Sequence, residues 1–351
     1  MVQPFVTDAA VATTCAEAAL DTGREIRALV HAMDPRERTQ HRIPLLKPHG
    51  GYGARLVDAL AEDVGLARLE RLARDVGCAV ELLVDPATGA THRVGHGSRT
   101  IWTAMDAIDG TVKVAGLGER LEDRVRLAND GGWATGFAFT LPTERSLADL
   151  VFGDFVVAVV VDGNPTRYRA YPQDLAALPS PDGLVTWEVT ERPWRRVFTT
   201  TSTVLGQLWA YLDVFQARDL DTRSPGDDAV GLELYRLLTD RHGGGAFDVL
   251  RQYANLSALG RVLFGWREPP VWVESQGGAY LVVNENVANL IPSVPLVAGA
   301  GGCSVDFAGR SLRARPLAAG RTSVLHAANQ EVCRVVLDLV AVARARAGVP
   351  R

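Results

Sequence analysis

One stretch constrains this chain more than any other: Trp102-Thr103-Ala104-Met105-Asp106-Ala107-Ile108-Asp109-Gly110-Thr111. An apolar run that ends in Asp, Gly and Thr predicts a buried strand feeding a tight turn. The two carboxylates, three residues apart, fall at the strand end. Hard divalent cations take oxygen ligands. Asp106, Asp109 and the intervening Ile108 carbonyl supply three. If a helix opens at Gly110–Thr111, its free amides point at an anion. The competing reading is a plain Asp-x-x-Asp-Gly turn, since Asp and Gly favour turns for local reasons.

Composition limits what such a site can serve. The 351 residues are 47% apolar and 22% charged, enough for a large core in one big domain or two coupled ones. A net charge of −4 gives no basic footprint for nucleic acid or a membrane surface. Cys15, Cys78, Cys303 and Cys333 show no zinc spacing and read as reduced, packed thiols. No leader peptide is expected at the N-terminus, and the longest apolar run, Phe155–Val161, is strand length. A cytoplasmic protein is the expectation.

Before the central stretch, Val6–His31 and Leu56–Val76 carry helical spacing. The Pro/Gly-rich Ile43–Gly53 loop between them contains Lys47. Cys78–Val84 reads as a strand closed by an Asp85–Gly89 turn, with Thr91–Val94 returning as a hairpin. Beyond the centre, Trp133–Leu141 and Phe155–Val161 are strands, and an Asp162-Gly163 turn leads to Arg167–Tyr171. Further on, Gly206–Val214 and Asp227–Leu238 look helical, the second after a Ser224-Pro225 start. Tyr253–Val262 is a small-residue helix and Trp272–Glu274 a strand. Arg321–Asn329 runs into a capped final helix from Gln330 to about Ala345.

Asp106-Ala107-Ile108-Asp109-Gly110-Thr111 resembles the D-P-I-D-G-T signature of the inositol monophosphatase-like phosphatases, with Ala107 in place of Pro. The resemblance extends by position and texture from about residue 10 to 345. It implies an α+β fold, the layered αβαβα sandwich of the inositol monophosphatase / fructose bisphosphatase type. One half, 1–180, carries the first motif and the other, 181–351, a degenerate second one. The implied activity is Mg²⁺-dependent (or Mn²⁺-dependent) hydrolysis of a small polyol, sugar, cyclitol or nucleoside phosphate by a metal-activated water. The alternative is a relative that has lost hydrolysis and binds a phosphorylated ligand or runs another reaction. The implied partner is a small phosphorylated metabolite, with neither nucleic acid nor membrane, and many relatives are homodimers.

By the same resemblance, Asp106 bridges two metals and Asp109 binds one. Thr111 and Asp63 orient the water, Asp63 standing where the family has the Asp of T-x-A-D. The Gly110 and Thr111 amides hold phosphate, while Lys47 and Glu274 reach the substrate. Two ligands depart from the pattern. Asp85 stands at the place of a bridging Glu, one methylene shorter, with Glu81 as the other candidate. In the second motif, which ends in the recognisable Gly299-Ala300-Gly301-Gly302, the metal-binding Asp falls on Asn289 by counting back from Gly302 and on Asn286 by local texture. Asn offers a neutral carbonyl oxygen where the family has a charge. Glu285 serves instead only if the helix start is shifted. His92 and His96 are read as surface histidines, because hard cations prefer oxygen. The Trp194-Arg195-Arg196 cluster and Arg223 read as a solvated basic face.

Overall fold

The computed structural model describes residues 8–43, 55–85, 88–114, 133–163, 187–188, 195–203, 208–213, 225–239, 247–251, 265–268, 271–273, 277–319 and 321–349. Apart from a short helix at Pro35–Arg38, absent from the sequence reading, the elements up to residue 162 follow that reading. Helices α1 (Asp8–Ala32), α2 (Pro35–Arg38) and α3 (Leu56–Val76) precede the hairpin β1 (Ala79–Asp85) and β2 (Ala90–Val94). Strand β3 (Thr100–Asp109) then runs into the single-turn helix α4 (Thr111–Val114). Strands β4 (Ala134–Thr140) and β5 (Phe155–Asp162) complete a five-stranded sheet in the order β2-β1-β3-β4-β5. Only β1 and β3 run parallel, so their C-terminal ends lie side by side.

The second half builds on β6 (Trp187–Glu188), β7 (Arg195–Phe198), β8 (Leu208–Asp213), α5 (Pro225–Thr239) and β9 (Phe247–Arg251). It continues with β10 (Gly265–Glu268), β11 (Val271–Val273), β12 (Gly277–Asn286), α6 (Val287–Leu290) and α7 (Ser293–Gly299). It closes with β13 (Cys303–Asp306), β14 (Arg321–Ala327) and α8 (Gln330–Arg346). One sheet has the order β11-β10-β7-β6 and the other β13-β14-β12-β8-β9.

The helix expected over Gly206–Val214 is corrected: its described part is strand β8, parallel to β12 and β9. Leu208, Ala210 and Leu212 are all buried, a period of two that six residues cannot separate from a short helical stripe. Val271–Val273 is a strand as expected. The Tyr253–Val262 helix, the Arg167–Tyr171 strand, Trp194 and Arg223 lie outside the described residues.

Alternation along each strand produces the layers. Ile101, Phe137, Phe139 and Val159 face α1 and α3. Trp102, Ala104, Ala138 and Ala158 face the opposite way. There they share a core with Val287, Leu290, Val294 and Val297 of the two short helices, and with Tyr280, Val282 and Val324 of the last sheet. On that sheet's far side Ala279, Leu281, Val283 and Leu325 meet Leu234 and Leu238 of α5 and Val332, Val336 and Val340 of α8. The result is helix, sheet, helix, sheet, helix, as the sequence implied. Among the described residues no helix is long and apolar enough to cross a membrane.

Candidate functional site

All ten residues of β3 are buried. Its pairing with β4 sets Asp106 opposite Gly136 and Asp109 opposite Ala134, so three steps on β3 match two on β4. Such a bulge re-aims the side chains that follow it. Thr135 Oγ1 donates to the Ala107 carbonyl at 2.8 Å and satisfies the backbone there. Gly110, at φ 95, makes the turn that lets α4 begin; a residue with a Cβ is strained at that angle. Asp106 and Asp109 end up 8% and 6% exposed, beside the end of β1. Burying two carboxylates is costly unless they are paired or ligated, so this is not a plain surface turn.

Thr111 ties this turn to α3. Its hydroxyl donates to Asp58 Oδ1 at 2.7 Å and lies 3.2 Å from the Ile108 carbonyl. Asp58 is 2% exposed, and Glu62, one turn further along the same helix face, is 3% exposed. Asp63, the residue expected to orient the water, lies on another face of the helix. Asp63 is solvent-facing and paired with Arg42 at 3.0 Å. Five residues on a helix turn the side chain well away from the face that carries Asp58. The phase of the α3 core shows this: Asp58, Glu62, Gly65, Leu69, Leu72 and Val76 share the buried face. Two acids in register with an apolar stripe were the signal the motif match passed over.

The other predicted ligands are engaged elsewhere. Asp85 does lie at the C-terminal end of β1, but its Oδ2 accepts from Thr88 Oγ1 at 2.9 Å within the following turn. Glu81 pairs with Arg93 at 2.8 Å and accepts from Thr91 at 2.7 Å. In the second motif, Asn286 is the N-cap of α6, its Oδ1 accepting from Ala288 N at 3.0 Å. Asn289 sits a turn later and donates through Nδ2 to Glu285 Oε1 at 3.0 Å, which also accepts from Asn286 N at 2.8 Å. Asn286 thus holds the strand-to-helix junction, and the amide of Asn289 is spent on Glu285. Helix α6 packs against β3 and β1, which brings this junction to the layer that holds Asp106. Among the described residues no three His, Cys, Asp or Glu side chains gather closely enough to hold a metal ion. Lys47 and Glu274 lie outside the described residues.

A feature absent from the sequence reading is the buried His326 network on β14. Ser293 Oγ donates to the Leu290 carbonyl at 2.7 Å, so it accepts from His326 Nε2–H at 3.0 Å. Nδ1 then accepts from Ser304 Oγ at 2.7 Å, and the ring stacks on Tyr280. Burial pushes the imidazole down to about 3, so it is neutral.

The sequence matches no protein-family model and no curated protein. Solved structures do match. The chain is similar to the fructose-1,6-bisphosphatase of Leishmania major (holo form), with a TM-score of 0.61, 12% identity and coverage of 98% of this chain and 96% of that one. The IMPase of Thermotoga maritima matches with a TM-score of 0.59 and 13% identity over 95% of this chain and 98% of that one. Mycobacterium tuberculosis SuhB matches with a TM-score of 0.55 and 15% identity over 94% and 95%. Nearly full coverage in both directions means that the layers, and not a shared fragment, are alike: this chain has the fold of the IMPase and fructose-1,6-bisphosphatase structures.

Proposed function

We propose that the chain is a phosphomonoesterase for a small polyol, sugar, cyclitol or nucleoside phosphate, acting at the end of β3. The observation that carries this reading is the Thr111–Asp58 hydrogen bond. It joins the Asp106–Thr111 turn to a buried carboxylate on another element, which a simple Asp-Gly turn has no reason to do. The donor set suits a sparse Mg²⁺ or Mn²⁺ site. Mg²⁺ is bound by one or two carboxylates and completes its shell with water and phosphate. Asp106, Asp109 and the Ile108 carbonyl provide that much. A cation there supplies charge to polarise the ester and to acidify a bound water.

The chain's own groups do the rest. Asp58 Oδ1 accepts the hydrogen bond of the Thr111 hydroxyl, which leaves the lone pairs of Thr111 Oγ1 free to accept from a water and orient it. The Gly110 and Thr111 amides are assigned to the phosphate oxygens. Thr111→Val and Asp58→Asn are expected to lower kcat on a panel of sugar and cyclitol phosphates by about 10²–10⁴-fold while the variants stay folded. Unchanged turnover in both would overturn the assignment.

A second reading has its own support. Neutral Asn286 and Asn289 occupy the second motif, and Asp85 is bonded to Thr88. These features favour a relative that holds a phosphorylated ligand without hydrolysing it. Phosphate binding that depends on Asp106, with no turnover of any ester, would select this reading.

A further inference from the structure

The four cysteines are far apart in sequence, yet two of them meet in the C-terminal half. Cys303 opens edge strand β13 and Cys333 lies in the first turns of α8. Both side chains belong to the same apolar cluster, and their thiols lie within interaction range of one another. One backbone carbonyl places the two residues side by side independently: Asn329 O accepts from Cys333 N at 3.0 Å and from Cys303 Sγ at 3.8 Å. Cys303 is half-buried, so the pair opens to solvent on the β13 side, while Cys333 is 5% exposed. We propose that Cys303 and Cys333 form a redox-active dithiol that a peroxide converts to an intramolecular disulfide, tying β13 to the first turns of α8.

The chemistry closes without another reactant. The neighbouring Cys303 thiol and the start of α8 both favour the Cys333 thiolate, whose ionisation is shifted downward by the Cys303 thiol beside it. The thiolate attacks a peroxide oxygen, the O–O bond breaks, and the departing hydroxide leaves as water with one proton. Cys333 is then a sulfenic acid. Cys303 Sγ attacks that sulfur, the S–O bond breaks, a second water leaves with the Cys303 proton, and the S–S bond forms. The peroxide is reduced by two electrons and the two thiols are oxidised. The link spans β14 and the helix cap. It falls beside Asn329, whose Nδ2 donates to the Thr200 and Ser202 carbonyls at 3.2 and 3.0 Å. It therefore fixes the edge of the last sheet to its final helix, beside the bonds from Asn329 to residues 200 and 202. A cross-link that narrows the unfolded ensemble raises resistance to unfolding.

The test treats the reduced full-length protein with hydrogen peroxide, caps the remaining thiols with an alkylating agent, and maps peptides without reduction. The expected product joins the Cys303 and Cys333 peptides, with a rise of a few degrees in Tm that a reductant reverses. Cys333→Ser abolishes both, whereas Cys78→Ser leaves both. Alkylation of both thiols after oxidation, over-oxidation without a linked peptide, or a lower Tm for the linked form would overturn the proposal. Should Cys333→Ser not fold, the wild-type peptide map alone decides it.

Discussion

A threonine hydroxyl carries one proton, and Thr111 donates it in a hydrogen bond to a carboxylate on α3, three strands earlier in the chain. The sequence could place Thr111, because Asp-Gly-Thr is contiguous. It could not place the partner, because the choice between Asp58 and Asp63 depends on helix phase against neighbours that are not local. His326 makes the same point more strongly, since nothing around it in sequence predicts a histidine fixed between Ser293 and Ser304. Its consequence is a pH dependence with a definite sign. The folded-state value, about 3, lies below the ordinary 6.5, so the unfolded chain binds the proton first. The contribution to stability is complete above pH 6.5 and is lost as pH falls toward 3, at about 1.4 kcal/mol per pH unit. Urea unfolding at pH 6.5 and 5 should show a loss of about 2 kcal/mol from this group, and His326→Asn should remove that part of the slope. An identical slope in the variant would mean that the imidazole does not stay neutral.

At the scale of elements, two junctions decide the site. Strand β5 is followed by Gly163, whose carbonyl accepts from His31 Nε2 of α1 at 2.8 Å and whose amide donates to Trp133 O at 2.9 Å. A Cβ at Gly163 would overlap the Trp133 indole. Gly163→Ala should therefore cost about 1–3 kcal/mol in chemical denaturation, by overpacking where α1, β4 and β5 meet. An unchanged midpoint would contradict that packing. The other junction is β12 to α6. Asn284 sits at φ 51 within an irregular stretch of the β12–β14 ladder, and the chain then turns Glu285 and Asn286 into the helix start. Asp caps a helix as well as Asn does. Asn286→Asp should thus leave Tm nearly unchanged while strengthening Mg²⁺ binding measured by titration calorimetry. Weaker or unaltered binding would remove this junction from the site. The sequence showed that the second motif had lost its charge, but not which Asn holds the cap. Both asparagines fit the text equally well, and the distinction lies in where β12 stops.

At the scale of the molecule, the five layers were legible because long, strongly periodic segments announce their own type. The sequence reading failed where segments were short. Strand β8 has six residues, and its alternation is a stripe on a central strand with helices beyond it. The middle layer is hidden for another reason: α6 and α7, together 11 residues, earn their place only by packing between the two five-stranded sheets. That sandwich sets Asp106, Asp109, Thr111 and the cap of α6 near one layer boundary, and the account rests on this being a working phosphate site. The most direct test is isothermal titration of Mg²⁺ and Mn²⁺ into the protein, with and without inorganic phosphate, alongside Asp106→Asn. The account predicts binding heat that grows when phosphate is present and disappears in the variant. No heat at millimolar metal, in either the presence or the absence of phosphate, would contradict it.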